Sequence, residues 1–187
     1  MIQPFIKIIF AGEPGVGKTS IVKRIVTGEF NERYIRTLNV FVYTGKINIG
    51  GRTINIGFRD PRGHRPISHY VRPFVAGANV AILVFDISRP DTLFELGFRV
   101  STYLAIAGPK PMILIGNKKD LREETDYYVK PEEGKAFAER LSKIIGYKVP
   151  YLETSAKTGE NMDKIPKLVI AALLKKEVEA RSSSTTR

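Results

Sequence analysis

Four short stretches of this chain carry residue types that could hold a nucleotide and cleave its phosphates. The first is Gly12-Glu-Pro-Gly-Val-Gly-Lys-Thr19, the pattern G-x-x-x-x-G-K-[ST]. A glycine loop between a strand and a helix aims several backbone N–H groups and a helix N-terminus at one anion. The loop predicts a nucleoside triphosphate and names neither its base nor its fate. The second stretch is Asp60-Pro-Arg-Gly63, which reads D-x-x-G. The third is Gly116-Asn117-Lys118-Lys119-Asp120. A carboxylate at Asp120 can accept two hydrogen bonds from guanine, one from N1–H and one from the 2-amino group. Adenine offers neither donor and would leave the carboxylate desolvated and unpaired. The fourth, Thr154-Ser155-Ala156-Lys157, can offer a backbone N–H to guanine O6. Each stretch alone is weak evidence. The four in this order within one small chain are specific for a guanine-nucleotide site.

The elements that must position these stretches follow from the apolar pattern. Residues 5–11 form an apolar run suited to a buried strand, and residues 20–26 have helical spacing. Thr27 to Phe30 stop that helix, and residues 31–37 read as a loop. Residues 38–49 and 52–58 alternate about Gly50-Gly51, which predicts a hairpin with a primed turn. A breaker-rich loop over 59–66 precedes a short helix over 67–76. Further strands are expected over 78–85, 111–115 and 149–152. Further helices are expected over 91–107, 131–144 and 161–179. Leu93, Leu96, Val100 and Leu104 give the helix over 91–107 its core stripe. Phe94 and Phe98 lie off it. The favoured expectation is that neighbours bury them; the other is an apolar patch for a partner or a dimer. The final helix carries its stripe on Ile165, Leu168, Val169 and Ala172. Residues 1–178 read as one domain and 179–187 as a disordered basic, Ser/Thr-rich tail.

Short apolar strands alternating with helices place the chain in the α/β class. Right-handed crossovers then build a mostly parallel sheet with helices on both faces. Ligands sit at the carboxyl ends of such strands. That selects the loops after residues 11, 58, 85, 115 and 152, and the four stretches lie in these loops.

Composition narrows the function classes. The chain has no cysteine, which excludes disulfides, thiolate zinc sites, a cysteine nucleophile and prenyl or palmitoyl attachment. Its longest apolar run, over 78–85, is too short to span a bilayer, so a cytoplasmic location is expected. The net charge of +11 is spread along the chain and reads as a solvated basic surface; no lipid anchor is expected, and weak electrostatic contact to anionic membranes is one route to a membrane. No basic-aromatic platform or finger spacing supports nucleic-acid binding.

With the ordered set in view, the sequence resembles the Ras-like small GTPases over residues 5–177, and within them it is most similar to the Rab group. Gly28-Glu-Phe-Asn-Glu-Arg-Tyr-Ile35 followed by Thr37 is similar to a Rab first switch, and Phe85-Asp-Ile-Ser88 also looks Rab-like. The resemblance implies a P-loop NTPase fold in three α/β/α layers. It implies a six-stranded, mostly parallel sheet with one antiparallel edge strand, and five helices. It also implies a GTP/GDP switch with Mg²⁺ and slow hydrolysis, in which two loops are ordered by the γ-phosphate. Protein effectors, an exchange factor and an activating protein are expected at residues 30–45 and 60–76, with the chain a monomer or weak homodimer.

The residue roles come with the resemblance. Gly15, Val16, Gly17, Lys18, Thr19 and Ser20 are expected to line the phosphates, with Lys18 reaching the β- and γ-phosphates. Thr19 and Thr37 are expected to ligate Mg²⁺ directly, and Asp60 through water. Thr37 and Gly63 also meet the γ-phosphate through their backbones. Phe30 is expected against the guanine, and Tyr34 against the nucleotide. Asn117, Lys118, Asp120, Ser155, Ala156 and Lys157 form the base pocket. Lys18, Thr37 and His64 are the expected catalytic set.

The second switch departs from the family pattern. Phe58-Arg-Asp-Pro-Arg-Gly-His-Arg65 stands where W-D-T-A-G-Q-E is usual, so His64 replaces the glutamine that positions the attacking water. His64 either holds that water or is a surface residue beside a very slow reaction. Pro61 stiffens the loop. Arg62 and Arg65 point into solvent or act as an arginine finger in cis. Leu38-Asn39 replaces a usual Ile-Gly, and Pro14 stands where the Ras prototype has glycine. Two rivals stay open: a GTP-binding module with negligible turnover, and a P-loop kinase or ATPase.

Overall fold

The computed structural model describes residues 5–27, 41–49, 52–60 and 75–184, and side chains within 6–25 and 75–174. In chain order the elements are β1 (Phe5–Ala11), α1 (Lys18–Thr27), β2 (Phe41–Ile49), β3 (Arg52–Asp60), β4 (Val80–Asp86) and α2 (Asp91–Ala107). There follow β5 (Met112–Asn117), a 3₁₀ helix (Lys119–Glu124), α3 (Pro131–Ile145), β6 (Tyr151–Glu153) and α4 (Lys164–Ser184). The strands form one sheet in the order β2-β3-β1-β4-β5-β6. Only β2 runs antiparallel to its neighbour; the other pairings are parallel.

The sheet is covered on both faces because its strands are apolar on both. Every residue of β4 and β5 is buried. Alternate side chains then build two cores. Ile8, Phe10, Ile82, Val84, Ile113 and Ile115 pack under Ile21 and Val22 of α1 and Ile165 and Val169 of α4. Ile9, Leu83, Phe85 and Leu114 pack under Leu96 and Val100 of α2 and Ala138, Leu141 and Ile145 of α3. Helix α3 starts at Pro131, where the Glu133 carboxylate accepts the Lys130 N–H at 2.7 Å, and stops at Gly146 with φ +74°.

Three expectations change. The buried stripe of α2 is Thr92, Leu96, Val100 and Tyr103, with Leu93 and Leu104 only half-buried. Thr92 sets this rotation: its hydroxyl accepts the Asp86 N–H at 3.0 Å and donates to the Arg89 carbonyl at 2.6 Å, fixing the first turn against β4. Phe94 and Phe98 therefore face outward, 72% and 66% exposed, edge to face with each other at 5.9 Å. Their expected burial is overturned. Helix α4 begins at Lys164 rather than at Asn161, which is left-handed at φ +59°. It continues to Ser184, five residues beyond its expected end at 179. The Gly50-Gly51 turn, and the helix over 67–76 apart from its last two residues, lie outside the described residues. Among the described residues no helix is long and apolar enough to cross a membrane.

Candidate nucleotide-binding site

The carboxyl ends of β1, β4, β5 and β6 lie side by side and bring residues 12–19, 86–89, 117–120 and 154–157 together. The glycine loop wraps over the start of α1. Val16 is fully buried and pins the loop into the core. A Cβ at Gly17, whose φ is +97°, would stand 2.2 Å from Asn117 Nδ2, so only glycine lets the base loop approach so closely. Lys18 is 7% exposed and its Nζ donates to the Gly12 and Glu13 carbonyls, each at 3.1 Å. Thr19 and Ser20 follow, half-buried, in the first turn of α1. The N–H groups of that turn lack helical acceptors and carry the positive end of the helix dipole.

Asn117 joins the three loops. Its Nδ2 donates to the Val16 carbonyl at 2.9 Å, and its Oδ1 accepts the Ala156 N–H at 3.1 Å and the Thr154 hydroxyl at 3.3 Å. Lys118 takes a left-handed conformation, φ +64°, that reverses the chain between β5 and the 3₁₀ helix. Its ammonium thereby reaches Asp86 Oδ2 at 2.7 Å. Asp120 Oδ1 accepts the Ser155 hydroxyl, whose oxygen accepts the Thr158 N–H at 3.0 Å. Ser155 and Ala156 are buried and Lys157 is exposed.

The described structure thus places Gly15, Val16, Gly17, Lys18, Thr19, Ser20, Asn117, Lys118, Asp120, Ser155, Ala156 and Lys157 around one end of the sheet. Asp60 closes β3, opposite Phe41 on β2. Its side chain, and Phe30, Tyr34, Thr37, Gly63 and His64 entirely, lie outside the described residues.

Two groups of residues at this site escaped the sequence reading. Asp86, 1% exposed, accepts from Lys118, from Arg89 Nε at 3.1 Å, and from both the N–H and the hydroxyl of Ser88. Burial alone would push its carboxyl up; these partners outweigh burial and hold it below the ordinary aspartate value. The second group is Arg122 with Glu153. Arg122 Nη1 and Nη2 donate to the two carboxylate oxygens at 2.9 and 2.6 Å, and the Tyr151 hydroxyl donates to Oε1 at 2.8 Å. Burial would likewise raise Glu153, yet Arg122 and Tyr151 hold it low. The pair ties the 3₁₀ helix that carries Asp120 to the strand before Ser155, fixing the two base loops relative to each other.

The cradle has the shape to take a nucleotide. Its glycines leave room that a Cβ would fill. Among the described residues no cluster of His, Cys, Asp or Glu could hold a metal ion by itself. A hydroxyl at Thr19, beside bound phosphates, suits Mg²⁺.

Comparison with known proteins agrees with this frame. The Ras family model matches residues 7–175. Ras-related protein Rab7 of Cenchrus ciliaris is 28% identical over 182 residues, covering 95% of this chain and 86% of that protein. Ras-related protein RABG3f of Arabidopsis thaliana is 28% identical over 167 residues, covering 87% and 79%. The chain is therefore Rab-like in sequence, and it belongs to the Ras family.

Proposed function

We propose that residues 1–178 form one G domain that binds GTP and GDP with Mg²⁺, hydrolyses GTP slowly and acts as a molecular switch. The observation that supports this best is the Asn117 junction. One side chain bonds the phosphate loop, the Ala156 N–H and Thr154, with Asp120 held at the rim by Ser155. Lys18 and the N–H groups of residues 15–20 hold the β- and γ-phosphates. Thr19 and Thr37, with Asp60 through water, hold Mg²⁺, which neutralises phosphate charge when bound. Gly63 contributes a backbone N–H at the γ-phosphate, Phe30 and Tyr34 cover the nucleotide, and His64 orients the attacking water. Effectors, an exchange factor and an activating protein engage residues 30–45 and 60–76, from a cytoplasmic pool with weak electrostatic contact to anionic membranes. Nucleic acid is not a partner.

Single-turnover cleavage tests the enzyme reading. Wild type is expected to convert bound GTP to GDP over hours, and His64→Ala to slow it on the order of tenfold. No product after many hours leaves the second reading, a guanine-nucleotide module with negligible turnover. Pro14, where the Ras prototype has glycine, leaves the rate open between the two readings. An unchanged His64→Ala rate would remove His64 from the mechanism.

The chain is expected to be a monomer. Phe94 and Phe98 would bury roughly 400 Å² per partner, half of what a stable interface needs, and copies carrying +11 repel each other. Sedimentation velocity at tens of micromolar reads this. A dimer that Phe94→Ser/Phe98→Ser dissolves would contradict it.

A further inference from the structure

The phosphate loop is braced from outside by two arginines that no motif marks. Arg99 lies on the third turn of α2. Its Nε donates to Glu13 Oε1 at 2.8 Å, and its Nη2 donates to the same oxygen. The Glu13 carbonyl in turn accepts Lys18 Nζ. One residue on, the Pro14 carbonyl accepts Arg89 Nη2 at 3.2 Å, and Arg89 is itself anchored on Asp86. Three consecutive carbonyls, of Gly12, Glu13 and Pro14, are therefore each held by a cation.

A peptide unit is a rigid plane in which one residue's C=O opposes the next residue's N–H. Holding the Pro14 carbonyl toward Arg89 fixes the direction of the Gly15 N–H. The loop has little stiffness of its own, since Gly12, Gly15 and Gly17 all sit at positive φ. An unbraced loop of this kind would have to be ordered by each arriving phosphate, at a cost in affinity. The Arg99–Glu13 pair is about three-quarters covered, with side-chain exposures of 27% and 20%, so water screens it less than an open surface pair.

We propose that Arg99, acting through Glu13, is a positioning residue of the phosphate loop, keeping Lys18 and the N–H groups beyond it set for a nucleoside diphosphate. This rests on the guanine-nucleotide reading. The pair meets the nucleotide site at the phosphate loop, through Glu13, so its effect belongs to the β-phosphate and not to the base.

The test measures release of a fluorescent GDP, and affinity for GDP and GMP, in wild type, Glu13→Gln, Arg99→Ala and the double variant. Each single variant is expected to release GDP about three- to tenfold faster, with the double no faster than the worse single, because coupled partners are not additive. Affinity for GMP, which lacks the β-phosphate, is expected to stay within twofold. Glu13→Gln keeps the side chain's size, so a folding defect confined to Arg99→Ala leaves the question answerable. Unchanged release in both singles, multiplied effects in the double, or equal losses for GDP and GMP overturns the proposal. A wild type that prefers ADP to GDP refutes the guanine reading alone, and the same comparison is then read with ADP and AMP. A wild type that holds neither diphosphate overturns both.

Discussion

Asp120→Asn is expected to cost the chain its guanine nucleotide and give it a xanthine nucleotide. The side chain at 120 sits at the rim of the base loops, where Ser155 donates to its Oδ1. A carboxylate offers only acceptors, which match guanine N1–H and the 2-amino group. Asparagine keeps the size and keeps an oxygen for Ser155. It also turns one acceptor into an amide donor, which faces the guanine donor and repels it. Xanthine carries a carbonyl at that position and restores the match. A site built to bond a given group rejects the analogue by large factors, so the loss of GDP affinity should be on the order of a hundredfold or more. Competition of GDP and XDP for the fluorescent nucleotide measures it. Native GDP affinity in the variant would mean that the base is read elsewhere.

The sequence exposes those parts of the site that are contiguous. Asn117, Lys118 and Asp120 lie within four residues of one another, and Gly12 to Thr19 form one loop, so their chemistry shows in the spacing. The buried strands were equally legible, because β4 and β5 are apolar on both faces. Long-range pairs leave no such trace. Arg89 is 75 residues from Pro14, and Arg122 is 31 from Glu153; each reads as an ordinary surface arginine until the sheet brings its partner near. The stripe of α2 is hidden from the sequence for a related reason. Periodicity counts Leu93 and Leu104 as core, but the Thr92 hydroxyl bonds to the end of β4 and turns the helix so that Tyr103 goes in and Phe94 and Phe98 come out.

Asp86→Ala is expected to lower stability by about 2–3 kcal/mol, a fall of about 5–10 °C in Tm for a domain of this size. The carboxylate is buried and holds four hydrogen bonds or ion pairs, two of them to cations. Lys118 and Arg89 already have 32% and 42% of their side chains exposed, so water recovers part of the loss when the carboxylate is removed and the cost stays below that of a fully stranded charge. The dependence on pH has a fixed sign. The folded pKa lies below the ordinary 3.8, so above that value the native state gains nothing from a proton that the unfolded state also lacks. The contribution is fully present above about pH 5. It fades as pH falls below 3.8 and through the folded value, where protonation breaks the contacts to Lys118 and Arg89. Wild type and Asp86→Ala should therefore differ in Tm from pH 6 to 8, and the gap should narrow as pH falls below 3.8. Nucleotide release should quicken in the same variant, because Asp86 holds Lys118 of the base loop and, through Arg89, the Pro14 carbonyl of the phosphate loop. A Tm gap that shows no narrowing as pH falls below 3.8 would place the loss in packing. A quickened release without any Tm change would leave Asp86 as a link between the two loops and not as a pillar of the fold.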